Sequence, residues 1–129
     1  PTSSSTVIAP RTNAAGITLT NRRGKIVLSR SQELRQAHPD RVNLNHLQLT
    51  QCPILENNES GRIQFLSLQS NFVTDVAHLE HLKNLIFLDL YNNHLEFLGS
   101  AFGYLTSLRV LLLGKNRIFR IQNLEHLRR

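Results

Sequence analysis

The sequence predicts an α/β solenoid: a curved stack of short parallel strands on the concave face, with helix or 3₁₀ segments on the back. Three observations carry this. A six-residue pattern, leucine-x-leucine-x-x-asparagine, recurs as LSLQSN, LDLYNN and LLLGKN. The closing asparagines Asn71, Asn93 and Asn116 stand 22 and then 23 residues apart. Apolar residues keep fixed offsets behind each run, at Val73, Leu95 and Ile118, and again at Val76, Leu98 and Ile121.

Each part of the unit has a physical reason. Two leucines at period two point to the same side of a strand, and the residues between them point to the other. Further leucines at Leu79, Leu82 and Leu85, and at Leu105 and Leu108, give the returning segment its own buried side. The asparagine ends the strand, where its amide can bond peptide groups of the adjacent turn that otherwise lack partners. A period of 20–29 residues with this signature is that of a leucine-rich repeat. One such unit cannot bury its apolar face alone, so units come in arrays.

A weaker copy precedes the three. In VNLNHLQLTQC, Val42 and Leu44 take the paired positions, Leu49 and Cys52 keep the offsets, and Leu47 replaces the asparagine. With Pro53 and the polar ENNES, residues 39–60 read as an N-terminal cap, followed by three repeats over 61–129, the last incomplete. In RIQNLEHLRR, Leu124 and Leu127 repeat the positions of Leu79 and Leu82 without a following strand. A bare edge exposes unpaired strand groups. The expectation is therefore a fragment of a longer protein, or an edge covered by a partner.

Residues 1–38 read as a basic arm, largely disordered or docked on a partner. Residues 1–40 hold six Lys/Arg and two acids, so most of the net charge of +6 lies there. Arg22, Arg23 and Lys25 in NRRGK are its electrostatic core, suited to phosphates or an acidic protein tail. Ile26–Leu28 can pair as a strand or dock on a partner, and SRSQELRQAH can form a helical turn or two with Ser31 as N-cap. The longest apolar run is four residues, Val110–Leu113, whereas a spanning helix needs about 20. The single cysteine, Cys52, excludes a disulfide within the chain.

Residues between the inward leucines form the concave face. They are Phe65, Ser67 and Gln69; Phe87, Asp89 and Tyr91; Val110, Leu112 and Gly114; the cap adds Asn43 and Asn45. Aromatic and aliphatic side chains on a surface that should be polar point to protein contact, unless the arm covers them. Catalysis finds little to work with. Asp89 is the one carboxylate expected on this face, so no acid–base pair forms. His78 and His81 stand three apart, but HLEH is not the zinc-protease pattern and no third ligand is evident. GKN at 114–116 lacks the phosphate-loop pattern and reads as the turn after a strand. No enzyme, metal or cofactor is expected.

The repeats resemble the 22-residue class found in cytosolic phosphatase regulators, spliceosomal scaffolds and ciliary proteins. The stretches PDRVNL, LTQCPILE, NFVT, LIFLDLYNN and SLRVLLLGKNRI together resemble the leucine-rich-repeat subunit of the tubulin polyglutamylase complex. That resemblance implies a non-catalytic scaffold, working with other subunits, among them a tubulin ligase-like enzyme. It implies a cytoplasmic, cytoskeletal location on microtubules, centrioles or cilia. The alternatives are a regulator of a protein phosphatase or of ciliary dynein and, given a pI of 10.5, a nucleic-acid-associated scaffold.

Overall fold

The computed structural model describes residues 11–12 and 16–119. In chain order these form β1 (Arg11–Thr12), β2 (Ile17–Arg22), β3 (Lys25–Arg30), α1 (Gln32–Ala37), β4 (Arg41–Asn43), β5 (Ile54–Leu55), α2 (Asn57–Ser60), β6 (Phe65–Ser67), β7 (Phe87–Asp89), a 3₁₀ segment Ser100–Tyr104 and β8 (Val110–Leu112). Ile121, Leu124 and Leu127 lie outside the described residues, as does PTSSST at the start.

One sheet is built by the repeats, in the order β4-β6-β7-β8, all parallel. Its central rung aligns Val42, Leu66, Leu88 and Leu111. Leu66, Leu68, Leu88 and Leu90 are buried inward, as the period-two spacing requires. Pairing continues past the strands, with the Leu44, Leu68 and Leu90 amides donating to the carbonyls of Ser67, Asp89 and Leu112 at 2.8, 2.8 and 2.9 Å. The chain then turns at the same corner of every unit through a left-handed residue, His46, Ser70, Asn92 and Lys115, at φ of 59°, 60°, 61° and 55°.

The next residue is the asparagine of each full unit. Asn71 Oδ1 accepts from the amides of Leu47 and Leu49, both at 3.0 Å, and its Nδ2 donates to the carbonyls of Leu44, Leu68 and Gln69. Asn93 accepts from Val73 and donates to Leu68, Leu90 and Tyr91. Asn116 accepts from Leu95 and donates to Leu90, Leu113 and Gly114. Each side chain thus ties its own turn to the unit before it. The arrangement is solenoid-like, but its back is thin. Turns carry Leu79, Leu82 and Leu85 into the core, and among the described residues only the longer second repeat winds a 3₁₀ segment, burying Ala101 and Phe102. A 22-residue unit leaves too few residues for a full α-helix once strand and turn are placed.

Residues 16–38, expected as an arm largely disordered or docked on a partner, are folded against their own chain. β2 and β3 form an antiparallel hairpin, extended by β1 on one side and by β5, in parallel, on the other. Its two-residue turn, Arg23-Gly24, has φ of 57° and 84°, the positive values of a type I′ hairpin turn. Ile17 and Leu19 alternate to one face of β2, and Leu28 stands opposite Leu19. Buried, all three join a single core that runs through Val42 and Leu44 to Leu108. The hairpin is ordered because that face has the first repeat to lie against.

Two further devices fasten it. Ser31 caps α1, its hydroxyl accepting from the Leu34 amide at 3.1 Å. Arg30 is buried and pairs with buried Glu59, its Nε 2.9 Å from Glu59 Oε1. Its Nη1 donates to the carbonyls of His38 and Arg41 at 2.7 and 2.9 Å. One guanidinium thereby joins the hairpin, the end of α1, β4 and α2.

Candidate functional site: the concave face

Parallel pairing in register sorts the outward side chains into rows across the strands. The first row is Arg41, Phe65, Phe87 and Val110. The Arg41 guanidinium lies 4.7 Å from the Phe65 ring centroid, and the Phe65 and Phe87 rings are 6.1 Å apart, tilted by 40°. Both separations are those of attractive cation–π and tilted aromatic pairs. A groove of about 340 Å³ opens here, lined by Arg41, Val42, Asn43, Phe65, Leu66, Ser67 and Phe87.

The second row, Asn43, Ser67, Asp89 and Leu112, is tied to the third, Asn45, Gln69, Tyr91 and Gly114. Ser67 Oγ and the Gln69 amide both donate to Asn45 Oδ1, at 2.7 and 2.8 Å. Gln69 Nε2 donates to Asp89 Oδ2 at 2.7 Å, and the Tyr91 amide to Asp89 Oδ1 at 3.0 Å. Asp89 is consequently 5% exposed. It stands at the expected position, but its carboxylate is engaged within the sheet and is not presented to a partner. Tyr91 lies over Gly114, where an added β-carbon would meet the ring's Cε1 and Cδ1 at 2.8 and 2.9 Å. Glycine leaves the space that lets this ring lie across the third strand. Tyr91, Val110 and Leu112 are exposed, at 38%, 40% and 39%.

Other candidate groups do not converge on this face. Arg22, Arg23 and Lys25 are exposed at the hairpin tip, which Gln51 holds through bonds to the Gly24 carbonyl and the Ile26 amide. His78 Nδ1 sits 3.1 Å from the Cys52 carbonyl, bridging two units, while His81 is exposed. Among the described residues no group of three or more His, Cys, Asp or Glu could hold a metal ion. Cys52 is buried, and burial followed by the nearby charges of Asp75 and Glu80 pushes its thiol well above the usual range.

One surface was not singled out by sequence reasoning. Phe72, Phe97 and Phe119 are exposed on the flank beyond the asparagines. Phe72 packs on His94 with centroids 5.4 Å apart. A depression of about 370 Å³ between units is lined by Thr74, Asp75, His94, Glu96, Phe97 and Arg117. The available signal was their place, one to four residues behind each asparagine, outside the buried offsets.

Comparison with known proteins follows this geometry. Leucine-rich repeat-containing protein 49 of Homo sapiens is 44% identical over 70 residues, which is 54% of this chain and 10% of that protein. The Mus musculus protein of the same name is 46% identical over 61 residues, 47% of this chain and 9% of that one. Protein phosphatase 1 regulatory subunit SDS22 of Saccharomyces cerevisiae is 30% identical over 105 residues, 78% of this chain and 31% of that protein. Two of these relatives are leucine-rich-repeat proteins by name, which supports reading the units of this chain as leucine-rich repeats. No family model matches the chain. The repeats span about a tenth of the mammalian relatives and under a third of the yeast one. One of these relatives is a regulatory subunit by name.

Proposed function

We propose that the chain is a non-catalytic scaffold that grips a partner protein on its concave face, through Phe65, Phe87, Tyr91, Val110 and Leu112 with Ser67 and Gln69 at their side. The observation that carries this reading is the aromatic and aliphatic row left facing outward from a sheet whose other side is buried at Val42, Leu66 and Leu88. Interfaces concentrate aromatic side chains at their centre. The Arg22, Arg23 and Lys25 tip adds an electrostatic contact at the cap end.

The partner we favour is a subunit of a tubulin-modifying assembly, as in the polyglutamylase complex, with the protein cytoplasmic on microtubules, centrioles or cilia. The identity shared with leucine-rich repeat-containing protein 49 supports placing the chain near that group of repeats. A second reading, regulation of a protein phosphatase, is favoured by the similarity to SDS22 over 78% of the chain. Affinity purification of the full-length protein from ciliated cells separates the two. A ligase-like tubulin-modifying subunit supports the first, and a phosphatase catalytic subunit the second. The double variant Phe87→Glu, Tyr91→Glu loses the recovered partner while its far-UV circular dichroism is unchanged. Normal binding by that variant removes the concave site.

A further inference from the structure

The concave groove does not end at β4. A second depression of about 370 Å³ lies beyond it, lined by Ile17, Arg30, Leu34, His38, Arg41, Val42 and Asn43. Arg41, Val42 and Asn43 line both depressions. Among the described residues β4 pairs with β6 alone. The hairpin, which could have covered that edge, pairs instead with β5. The ridge between the two hollows is therefore one short edge strand topped by Arg41.

Arg41 is poorly matched within its own chain. Its side chain is 57% exposed, and the nearest carboxylate, Asp40, is 3.8 Å from Nε, beyond hydrogen-bond distance. Its guanidinium lies over the Phe65 ring. Buried Glu59 is taken by Arg30. Stacking on a ring leaves the guanidinium's in-plane N–H groups free for a planar carboxylate.

We infer that an extended peptide of a partner protein crosses the concave row and passes over β4, setting a carboxylate on Arg41 and an apolar side chain between Ile17 and Leu34. This rests on the concave face being the partner site. It also sets a spacing. Strands lie about 4.8 Å apart, and a peptide in the polyproline II form advances about 3.1 Å per residue and returns to one face every third residue, so the group over Phe87 and the carboxylate on Arg41 are about three residues apart. The apolar anchor follows the carboxylate, since Ile17 and Leu34 line the hollow beyond β4.

A phage-displayed library of random twelve-residue peptides, panned against the intact protein, tests this. The enriched peptides share an apolar or aromatic residue, then Asp or Glu about three places on, then an apolar residue. A labelled enriched peptide, titrated by fluorescence anisotropy, binds Arg41→Gln about tenfold more weakly. It binds Leu34→Gln about fivefold more weakly, and circular dichroism shows both variants folded. Loss of binding in Phe87→Glu with normal binding in Arg41→Gln and Leu34→Gln overturns the extension and leaves the concave reading standing. Normal binding in Phe87→Glu removes the concave reading itself. Peptides without a carboxylate, no enrichment at all, or self-association of the protein that Arg41→Gln abolishes each overturn the proposal, the last by making a second copy the occupant.

Discussion

Asn93 bonds four backbone groups of two adjacent units from a site only 4% exposed. Alanine there strands the Val73 amide in a region water does not reach, at a cost of about 1–3 kcal/mol for an unsatisfied group, while the Leu68, Leu90 and Tyr91 carbonyls keep donors in Asn71, Asn116 and the Ser70 amide. Asn93→Ala should therefore lower the urea-derived stability by about 2 kcal/mol. Asn116→Ala breaks an equivalent set, but at a half-buried position, and should lose less. Cys52 gives a prediction in pH. Its folded thiol titrates above the ordinary value of 9.0, so above that pH the unfolded chain sheds a proton that the folded chain keeps. Its contribution is complete below pH 9.0 and is lost as pH rises, by about 1.4 kcal/mol per pH unit. Stability measured from pH 8 to 10 should fall more steeply in the parent than in Cys52→Ala, and thiol reagents should label only the unfolded protein. Spacing alone identified the asparagines, because every full unit repeats the same bonds at the same offsets. It could not show that Asp89 is sequestered or that Tyr91 leans on Gly114, because those contacts occur once and follow no repeat.

At the level of elements, the hairpin's attachment concentrates in one buried ion pair. Removing one member of such a pair leaves the other charge unmatched, at a cost of about 3–5 kcal/mol. Arg30→Met should lose that much and should also free the carbonyls of His38 and Arg41. The double variant Arg30→Met, Glu59→Leu should be more stable than Arg30→Met alone, a non-additivity that a double-mutant cycle in urea measures. The hairpin itself was only partly legible. Ile26–Leu28 offered itself as a strand and Ser31 as a cap, and both stand so in the structure. The alternation of Ile17 and Leu19 with polar residues and the glycine of NRRGK were also there to be seen. High charge and the polar leader outweighed them, and the closing contact of β3 with β5 joins residues 27 positions apart. On the turn, Gly24→Ala should cost about 1 kcal/mol, since φ of 84° suits glycine.

Across the whole molecule a single apolar core joins the hairpin, the cap and the repeats. Leu28 is fully buried in it. Leu28→Ala should cost about 3 kcal/mol and should destabilise all parts together. Amide hydrogen exchange is the check: protection in β2 and in β7 should fall by similar factors. A loss confined to β2 would mean that the hairpin opens as a separate unit. The repeat period made the solenoid readable at this scale, because four stacked strands obey one rule. The thin back was harder to foresee, since leucines spaced by three fit a helix, a 3₁₀ turn or plain turns equally well.

The corners after each strand hold His46, Ser70, Asn92 and Lys115 in a conformation most side chains avoid. A β-carbon there costs roughly 1–2 kcal/mol, less for asparagine. Only the corner at 92 already has the tolerant residue. Heat resistance could accordingly be raised one corner at a time, beginning with Lys115→Asn, without touching a leucine or any residue of the gripping surface. Because these corners recur in every unit but stack on one another, with Asn92 Nδ2 donating to Ser70 Oγ at 3.1 Å, their gains would add in part, so the same coordinate that bends the backbone also serves as a dial for how much warmth the molecule withstands.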